Sequence, residues 1–364
     1  MRVILAGGGT AGHINPALAI ADTIAHNDKE ADILFVGTKR GLESTLVPDK
    51  NYDIKYVDVQ GMKARLTPKN VVAVWKYVTA IAKCKKIIKQ FRPDVVVGTG
   101  GYVCAPMVSA ANSLGIPTLI HEQNVFPGNA IKMLSKKSTV TAISFAESTR
   151  YIDTAKEILL TGNPLRPEIV NADRTAARKE LNLGDDKYIV VFGGSLGASA
   201  INNTVCDYIE KYGVPEGTRM CFATGKYGFE DVSSRITPDK YPNVEVKQYI
   251  HNMATVLASA DLVVCRSGAI TVSEISALGV PAILVPSPNV TRNHQEYNAR
   301  ALSDKGAAIT ILEKDFNADS LKSAADSIIN DSSYSDGIRT KALAMAKTNA
   351  VDIIYDKLSK IIKK

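Results

Sequence analysis

Short, uninterrupted apolar runs alternate with amphipathic stretches along the whole chain. Val3–Ala6, Asp32–Val36, Asp94–Val97 and Pro117–His121 read as strands buried on both faces, since such runs leave no polar side for solvent. Helical patterns separate them, over about Pro16–His26, Asn70–Gln90 and Ala105–Leu114. A second series has strands at Tyr188–Phe192, Arg219–Ala223, Val244–Gln248, Leu262–Cys265 and Ala282–Val285. Its helices run over about Ala198–Tyr212, Met253–Ser259, Ile270–Leu278 and Gln295–Asp304. This βα alternation, twice over, predicts an α/β fold of two parallel sheets with right-handed crossovers. Gly162-Asn163-Pro164-Leu165-Arg166-Pro167 interrupts the pattern between the two series. Asp336–Lys364 reads as one long helix, apolar at Ile338, Leu343, Val351, Ile354, Leu358 and Ile361.

The length of 364 residues suits two domains, and 45% hydrophobic with 22% charged residues excludes a mostly disordered chain. No apolar run approaches the ~20 residues of a membrane-spanning helix. The start, Met1–Ala6, meets glycines too soon for a signal peptide. Five cysteines without a Cys-x-x-Cys pair point to a reducing interior, with no disulfide framework and no zinc site. The net charge of +7 is local. Between Asp58 and Asp94 there is no acid, but nine cations: Lys63, Arg65, Lys69, Lys76, Lys83, Lys85, Lys86, Lys89 and Arg92. Without them 35 basic residues face 37 acidic ones, unlike a uniformly basic nucleic-acid binder.

Three glycine-rich loops follow strands: Gly7-Gly8-Gly9-Thr10-Ala11-Gly12-His13, Gly98-Thr99-Gly100-Gly101-Tyr102 and Gly193-Gly194-Ser195-Leu196-Gly197. The first satisfies Gly-x-Gly-x-x-Gly and opens a helix, a place where backbone N–H groups can hold an anion. A dinucleotide site also wants an acid closing the second strand, and Phe35-Val36-Gly37-Thr38 has none. Ligands of open α/β sheets bind at the carboxyl ends of strands, so two facing domains would form a cleft for a large substrate pair. Cys265-Arg266-Ser267-Gly268-Ala269-Ile270-Thr271-Val272-Ser273-Glu274 ends another strand, and the helix it opens can bind diphosphate. Glu274, one turn in, could hold ribose hydroxyls, or Thr271-x-x-Glu274 could be a capping box. Asn293-His294-Gln295-Glu296-Tyr297-Asn298 is either a sugar-binding amide cluster or a polar helix start. His121-Glu122-Gln123-Asn124 follows an apolar strand, and buried unpaired polar groups are costly, so these four are expected at a cleft mouth. Cys84 lies among lysines, which could lower its pKa.

In this order, the first two loops, His121–Asn124, Gly162–Arg166, the third loop and Arg266–Glu274 resemble the GT-B glycosyltransferases that add N-acetylglucosamine to the lipid-linked muramyl-pentapeptide of peptidoglycan. The resemblance covers essentially the whole chain. Two departures are Ala11, where some relatives have glycine, and His294-Gln295-Glu296, where some have paired glutamines. It implies two Rossmann-like domains over 1–163 and 164–340, with a helix over 341–364 returning to the first. It further implies that Ser195 and the helix start Ala269, Ile270 and Thr271 touch the donor diphosphate. Ile250 would meet uracil through its backbone, Arg166 would lie near the nucleotide, and Glu274 would hold ribose. His294 or Gln295 would read the sugar, while Thr10, Ala11, Gly12 and Asn124 complete the donor site. Gly100, Gly101 and Tyr102 would meet the acceptor. The implied partners are UDP-N-acetylglucosamine and a polyprenyl-diphosphate-linked muramyl-pentapeptide, with no cofactor, no metal and no nucleic acid.

Inversion at the donor sugar needs a base for the acceptor hydroxyl and stabilisation of the leaving UDP. His13 is the first candidate base and Glu122 the second, while His13 could instead only orient its loop. A polyprenyl acceptor also gives the basic block a use. Val71, Val74, Trp75, Val78, Ile81 and Ala82 recur at helical spacing near Lys83, Lys85 and Lys86, a pattern for an anionic membrane surface. Packing of that stripe into the core is the competing reading. The chain is thus expected at the cell membrane, peripheral, on its cytoplasmic side. A UDP-sugar 2-epimerase shares the fold type, an NAD-dependent oxidoreductase lacks the second-strand acid, and a non-catalytic membrane- or glycan-binding module leaves the nucleotide loops unexplained.

Overall fold

The computed structural model describes the backbone over residues 1–59 and 68–362, and the side chains over 1–59 and 75–362. The side chains of Lys63, Arg65, Lys69, Val71 and Val74 therefore lie outside the described residues. Two compact units form, one from Met1–Arg166 with Lys347–Lys364, the other from Pro167–Ala346.

The first unit holds seven strands: β1 (Arg2–Gly7), β2 (Asp32–Gly37), β3 (Asp53–Tyr56), β4 (Val95–Gly100), β5 (Thr118–Glu122), β6 (Val140–Ile143) and β7 (Ile158–Leu160). They pair in the order β3-β2-β1-β4-β5-β6-β7, and every pair is parallel. The run Val3-Ile4-Leu5-Ala6 shows why the apolar stretches are unbroken. Successive side chains point to opposite faces. Val3 and Leu5 pack with the helices Ala11–Asn27 and Ala350–Ile362, while Ile4 and Ala6 pack with Pro68–Phe91 and Cys104–Ser113. Both faces are covered, and each buried aliphatic side chain contributes about 1.5–3 kcal/mol.

The second unit holds β8 (Lys187–Phe192), β9 (Thr218–Ala223), β10 (Val244–Lys247), β11 (Leu262–Cys265), β12 (Ala282–Leu284) and β13 (Ile309–Thr310). Their order, β10-β9-β8-β11-β12-β13, is again all parallel. Each sheet reverses its strand order once, between β1 and β4 and between β8 and β11. Such a reversal opens a crevice at the carboxyl ends of the two strands.

The C-terminal segment is not one helix. Ser332–Met345 and Ala350–Ile362 are separate, and Ala346 is extended between them. Ile338 and Ala342 are buried in the second unit, whereas Ile354, Leu358 and Ile361 pack beside the first helix, Ala11–Asn27. The helical spacing on either side of the break hides it in sequence. The segment Gly162–Leu165, whose prolines and glycine suggest a linker, is buried. A Cβ on Gly162 would collide with the side chain of Lys347, so the two stretches joining the units run against each other.

Candidate functional site

In the first unit the reversal sets the first two glycine loops side by side, since Gly7 is paired with Gly100. The helix after β1 begins at Ala11, five residues before Pro16, and has no side-chain cap and no acid in its first turn. Thr10 and Ala11 are exposed and Gly12 is half-buried, so this helix start faces outward. The loop is anchored by Glu43, which its sequence context does not announce. Glu43 is 1% exposed; Oε2 accepts from Gly9 N–H at 2.8 Å, and Oε1 accepts from the backbone and hydroxyl of Thr38, each at 2.8 Å. Burial opposes its ionisation, but these hydrogen bonds prevail and hold its pKa below the ordinary value. An acid thus does stand near the end of β2, engaged with the loop backbone.

His13, half-buried, is the third residue of the helix. Its carbonyl accepts from Thr99 Oγ1 at 2.8 Å, and its Nδ1 lies 3.2 Å from Gln123 Oε1. A Cβ on Gly100, where φ is +109°, would lie 2.6 Å from that Nδ1, and one on Gly101 would collide with Gly8 O. Both expected acceptor-loop glycines therefore have packing reasons of their own. Tyr102 beside them is 65% exposed.

The polar run His121–Asn124 does not sit at an open mouth. His121, Glu122 and Gln123 are buried, and only Asn124 is half-buried. Burying these polar groups does carry a desolvation cost, but pairing offsets it. Glu122 Oε1 accepts from Asn124 N–H at 2.9 Å and from Asn124 Nδ2 at 3.0 Å, and Oε2 accepts from Gly128 N–H at 2.8 Å. At 2% exposure, with both oxygens so occupied, Glu122 holds the loop rather than reaching outward as a base must. Burial pushes His121 down to about 4, against the opposing Gly162 bond, so it is neutral at pH 7. Arg166 is exposed.

In the second unit the reversal sets Phe192 beside Cys265, bringing the third glycine loop to the turn after β11. Gly194 and Gly197 take φ of +97° and +89°, and Ser195 stands exposed between them. The helix Ala269–Leu278 has Gly268 as its N-cap and no side-chain cap. Thr271 is thus already its third residue, and the capping-box reading of Thr271 and Glu274 fails. Glu274 is nearly buried, close enough for its charge to join burial in raising the Cys265 pKa. Ile250 is buried. An open cavity of about 360 Å³ lies here, lined by Gly193, Gly197, Arg266, Ser287, Asn289, Gln295 and Glu313 among others. Arg266 pairs with Glu313 in its wall and donates to Val285 O at 3.1 Å.

The amide cluster splits. Gln295 lines the cavity, its Oε1 accepting from Ser287 N–H at 2.9 Å. His294 donates through Nδ1 to Thr291 O at 2.9 Å, and Asn298 is buried against Ser267 O. Ser287, Asn289 and Glu313 went unmarked in sequence, since nothing local ties them to the glycine loops.

On the helix Pro68–Phe91, Ala80, Cys84, Ile87 and Ile88 face the core. Trp75 and Val78 are 67% and 59% exposed, and Ala82, Lys83 and Lys86 are exposed with them. The competing core-stripe reading fails for these residues, although Ile81 does pack on the core and Lys85 is half-buried. Lys76 pairs with Asp58 at 3.1 Å. Cys84 is no activated thiol: burial raises it to about 12 despite Lys83. Among the described residues no helix is long and apolar enough to cross a membrane.

Residues 3–143 match the glycosyltransferase family 28 N-terminal domain, and residues 188–355 match the family's C-terminal domain. A UDP-N-acetylglucosamine–N-acetylmuramyl-(pentapeptide) pyrophosphoryl-undecaprenol N-acetylglucosamine transferase of Acetivibrio thermocellus is 46% identical over 364 residues, covering 100% of this chain and 99% of its own. Its namesake from Desulforudis audaxviator is 43% identical over 370 residues, with coverage of 100% and 99%. Among solved structures, MurG of Acinetobacter baumannii matches with a TM-score of 0.81 at 29% identity over 99% of both chains. A UDP-GlcNAc 2-epimerase of Neisseria meningitidis matches at 0.69 and 14% identity, over 99% of this chain and 100% of that one, a likeness of fold alone.

Proposed function

The chain belongs to glycosyltransferase family 28, and on that premise we propose that it transfers N-acetylglucosamine from UDP-N-acetylglucosamine to the C4 hydroxyl of the muramyl sugar on a polyprenyl-diphosphate-linked muramyl-pentapeptide, turning lipid I into lipid II. The observation that carries this reading is the 46% identity, over the whole chain, to a transferase of that name.

The reaction is one inverting displacement. The acceptor oxygen forms a bond to the anomeric carbon, the bond from that carbon to the diphosphate oxygen breaks, and UDP leaves. The acceptor proton goes to His13 Nε2. The positive end of the helix that begins at Ala269, Ile270 and Thr271, with Ser195, would stabilise the developing diphosphate charge. Glu274 would take the ribose hydroxyls, Ile250 the uracil edge, and Gln295, which lines the cavity, the sugar. The Trp75 and Val78 face, flanked by Lys83 and Lys86, would bring the enzyme to the anionic membrane that carries its acceptor, as a peripheral protein on the cytoplasmic side.

A transfer assay with UDP-N-acetylglucosamine and the lipid-linked muramyl acceptor tests the proposal. Acceptor-dependent release of UDP with formation of the disaccharide lipid is expected. Acceptor-independent conversion of the donor to its 2-epimer would replace it with the epimerase reading.

A further inference from the structure

The hydrogen bonds behind His13 form a chain whose two ends are backbone carbonyls, and those ends assign every proton between them. His121 Nε2 lies 3.0 Å from Gly162 O. A carbonyl oxygen only accepts, so Nε2 carries the proton and His121 Nδ1 is bare. Gln123 Nε2 lies 2.8 Å from Thr99 O and 3.0 Å from His121 Nδ1. Two acceptors facing one end of the amide require the NH2 group there, so the oxygen points the other way. That oxygen is 3.2 Å from His13 Nδ1, which must then donate. The neutral His13 ring is left with its proton on Nδ1 and its lone pair on Nε2.

We infer that Gln123, itself oriented by His121 and Thr99, is a positioning residue that fixes His13 in the Nδ1–H tautomer and so presents Nε2 as the proton acceptor. This rests on the reading of His13 as the base. The assignment survives protonation of His13, because the added proton goes to Nε2. The parts are rigid: His121 and Gln123 are buried, and Thr99 also holds the His13 carbonyl at 2.8 Å. His121 stays neutral because burial lowers its pKa, which keeps its Nδ1 able to accept. In free histidine the neutral ring favours the other tautomer, with the proton on Nε2, where it would block proton abstraction. The relay overrides that preference.

The test is the ¹⁵N signature of the His13 ring in the full-length protein, with Gln123→Met compared against wild type. Wild-type His13, in its neutral form, should show a protonated Nδ1 and a bare Nε2, a measurement that needs no variant to fold. In Gln123→Met the proton should redistribute toward Nε2 and kcat should fall roughly ten- to hundredfold, with UDP-N-acetylglucosamine affinity retained. A wild-type ring protonated on Nε2, or a tautomer unmoved by the substitution, would overturn the relay. A redistributed proton with unchanged kcat would overturn the positioning role. His13→Ala with full turnover would instead remove the base assignment on which it rests.

Discussion

Gly100 lies directly under the imidazole of His13: a Cβ there would sit 2.6 Å from Nδ1, and the backbone φ of +109° suits glycine alone. One loop thus sets the height of the ring at the end of the neighbouring strand. Gly100→Ala should push the imidazole outward. The expected result is a kcat loss approaching a hundredfold, as for a displacement near 1 Å at a reacting group. Donor affinity should persist, and stability should fall by about 1–3 kcal/mol from the strained backbone. Full activity would show that the ring height does not matter to turnover.

His13 and Glu122 separate by the kind of loss they cause. His13→Ala should lower kcat by roughly 10²–10⁴ with the fold intact. Glu122→Gln sets an NH2 group against the N–H donors of Asn124 or Gly128. It should therefore destabilise by about 1–3 kcal/mol, visible in thermal melting, and lower activity through the loop. A Glu122→Gln enzyme with native melting and no turnover would return Glu122 to the role of base.

Glu274→Gln distinguishes recognition from architecture in the second unit. With Gly268 as the N-cap, the side chain has no capping duty to lose. UDP affinity, read by calorimetry, should fall at least about tenfold, the loss of a charge-assisted hydrogen bond. Undiminished UDP binding would sink the ribose assignment.

Acid should loosen the first unit in two stages. The buried His121 keeps a pKa of about 4, so between the ordinary histidine value and that point the unfolded chain binds a proton that the folded one refuses. Stability is complete above about pH 6.5 and declines as pH drops toward about 4. Glu43 acts later: its folded pKa is depressed, so its contribution is present above the normal carboxylate range and disappears as pH falls through the folded value. Urea unfolding across this range should show both declines, and His121→Gln should flatten the first. A His121→Gln protein with the wild-type slope would assign the first decline to another group.

Reversing Lys83, Lys86 and Lys89 to glutamate should abolish binding to anionic vesicles while leaving turnover on a detergent-solubilised acceptor intact. Wild-type binding should weaken as salt rises, because these charges are exposed. Full retention of the triple variant on vesicles would remove the membrane role from this face.

The sheets were legible because a strand buried on both faces writes an unbroken apolar run, as Val3–Ala6 does. The glycine loops were legible because tight strand-to-helix turns need glycine. The short edge strand Asp53–Tyr56 was not, since its burial is partial and its residues mixed. Glu43 escaped because two of its three donors are backbone N–H groups, which leave no mark in sequence. The polar run after β5 was misplaced for a related reason. Sequence shows that four polar residues need partners, but Thr99, Ser144 and Gly162, which supply several of them, come from three other places in the chain. The break at Ala346–Asn349 was invisible because apolar spacing continues through it.

Gly162 and Lys347, packed together, also bear on how the molecule is made. The first unit is begun first, yet its helix Ala350–Ile362 is synthesised only after all of Pro167–Ala346. The second unit is one continuous stretch and takes nothing from residues after Ala346. The first must wait for the helix whose Ile354 and Leu358 pack beside Ala11–Asn27. The unit that carries His13 therefore cannot complete its core before the whole of the second unit has been synthesised.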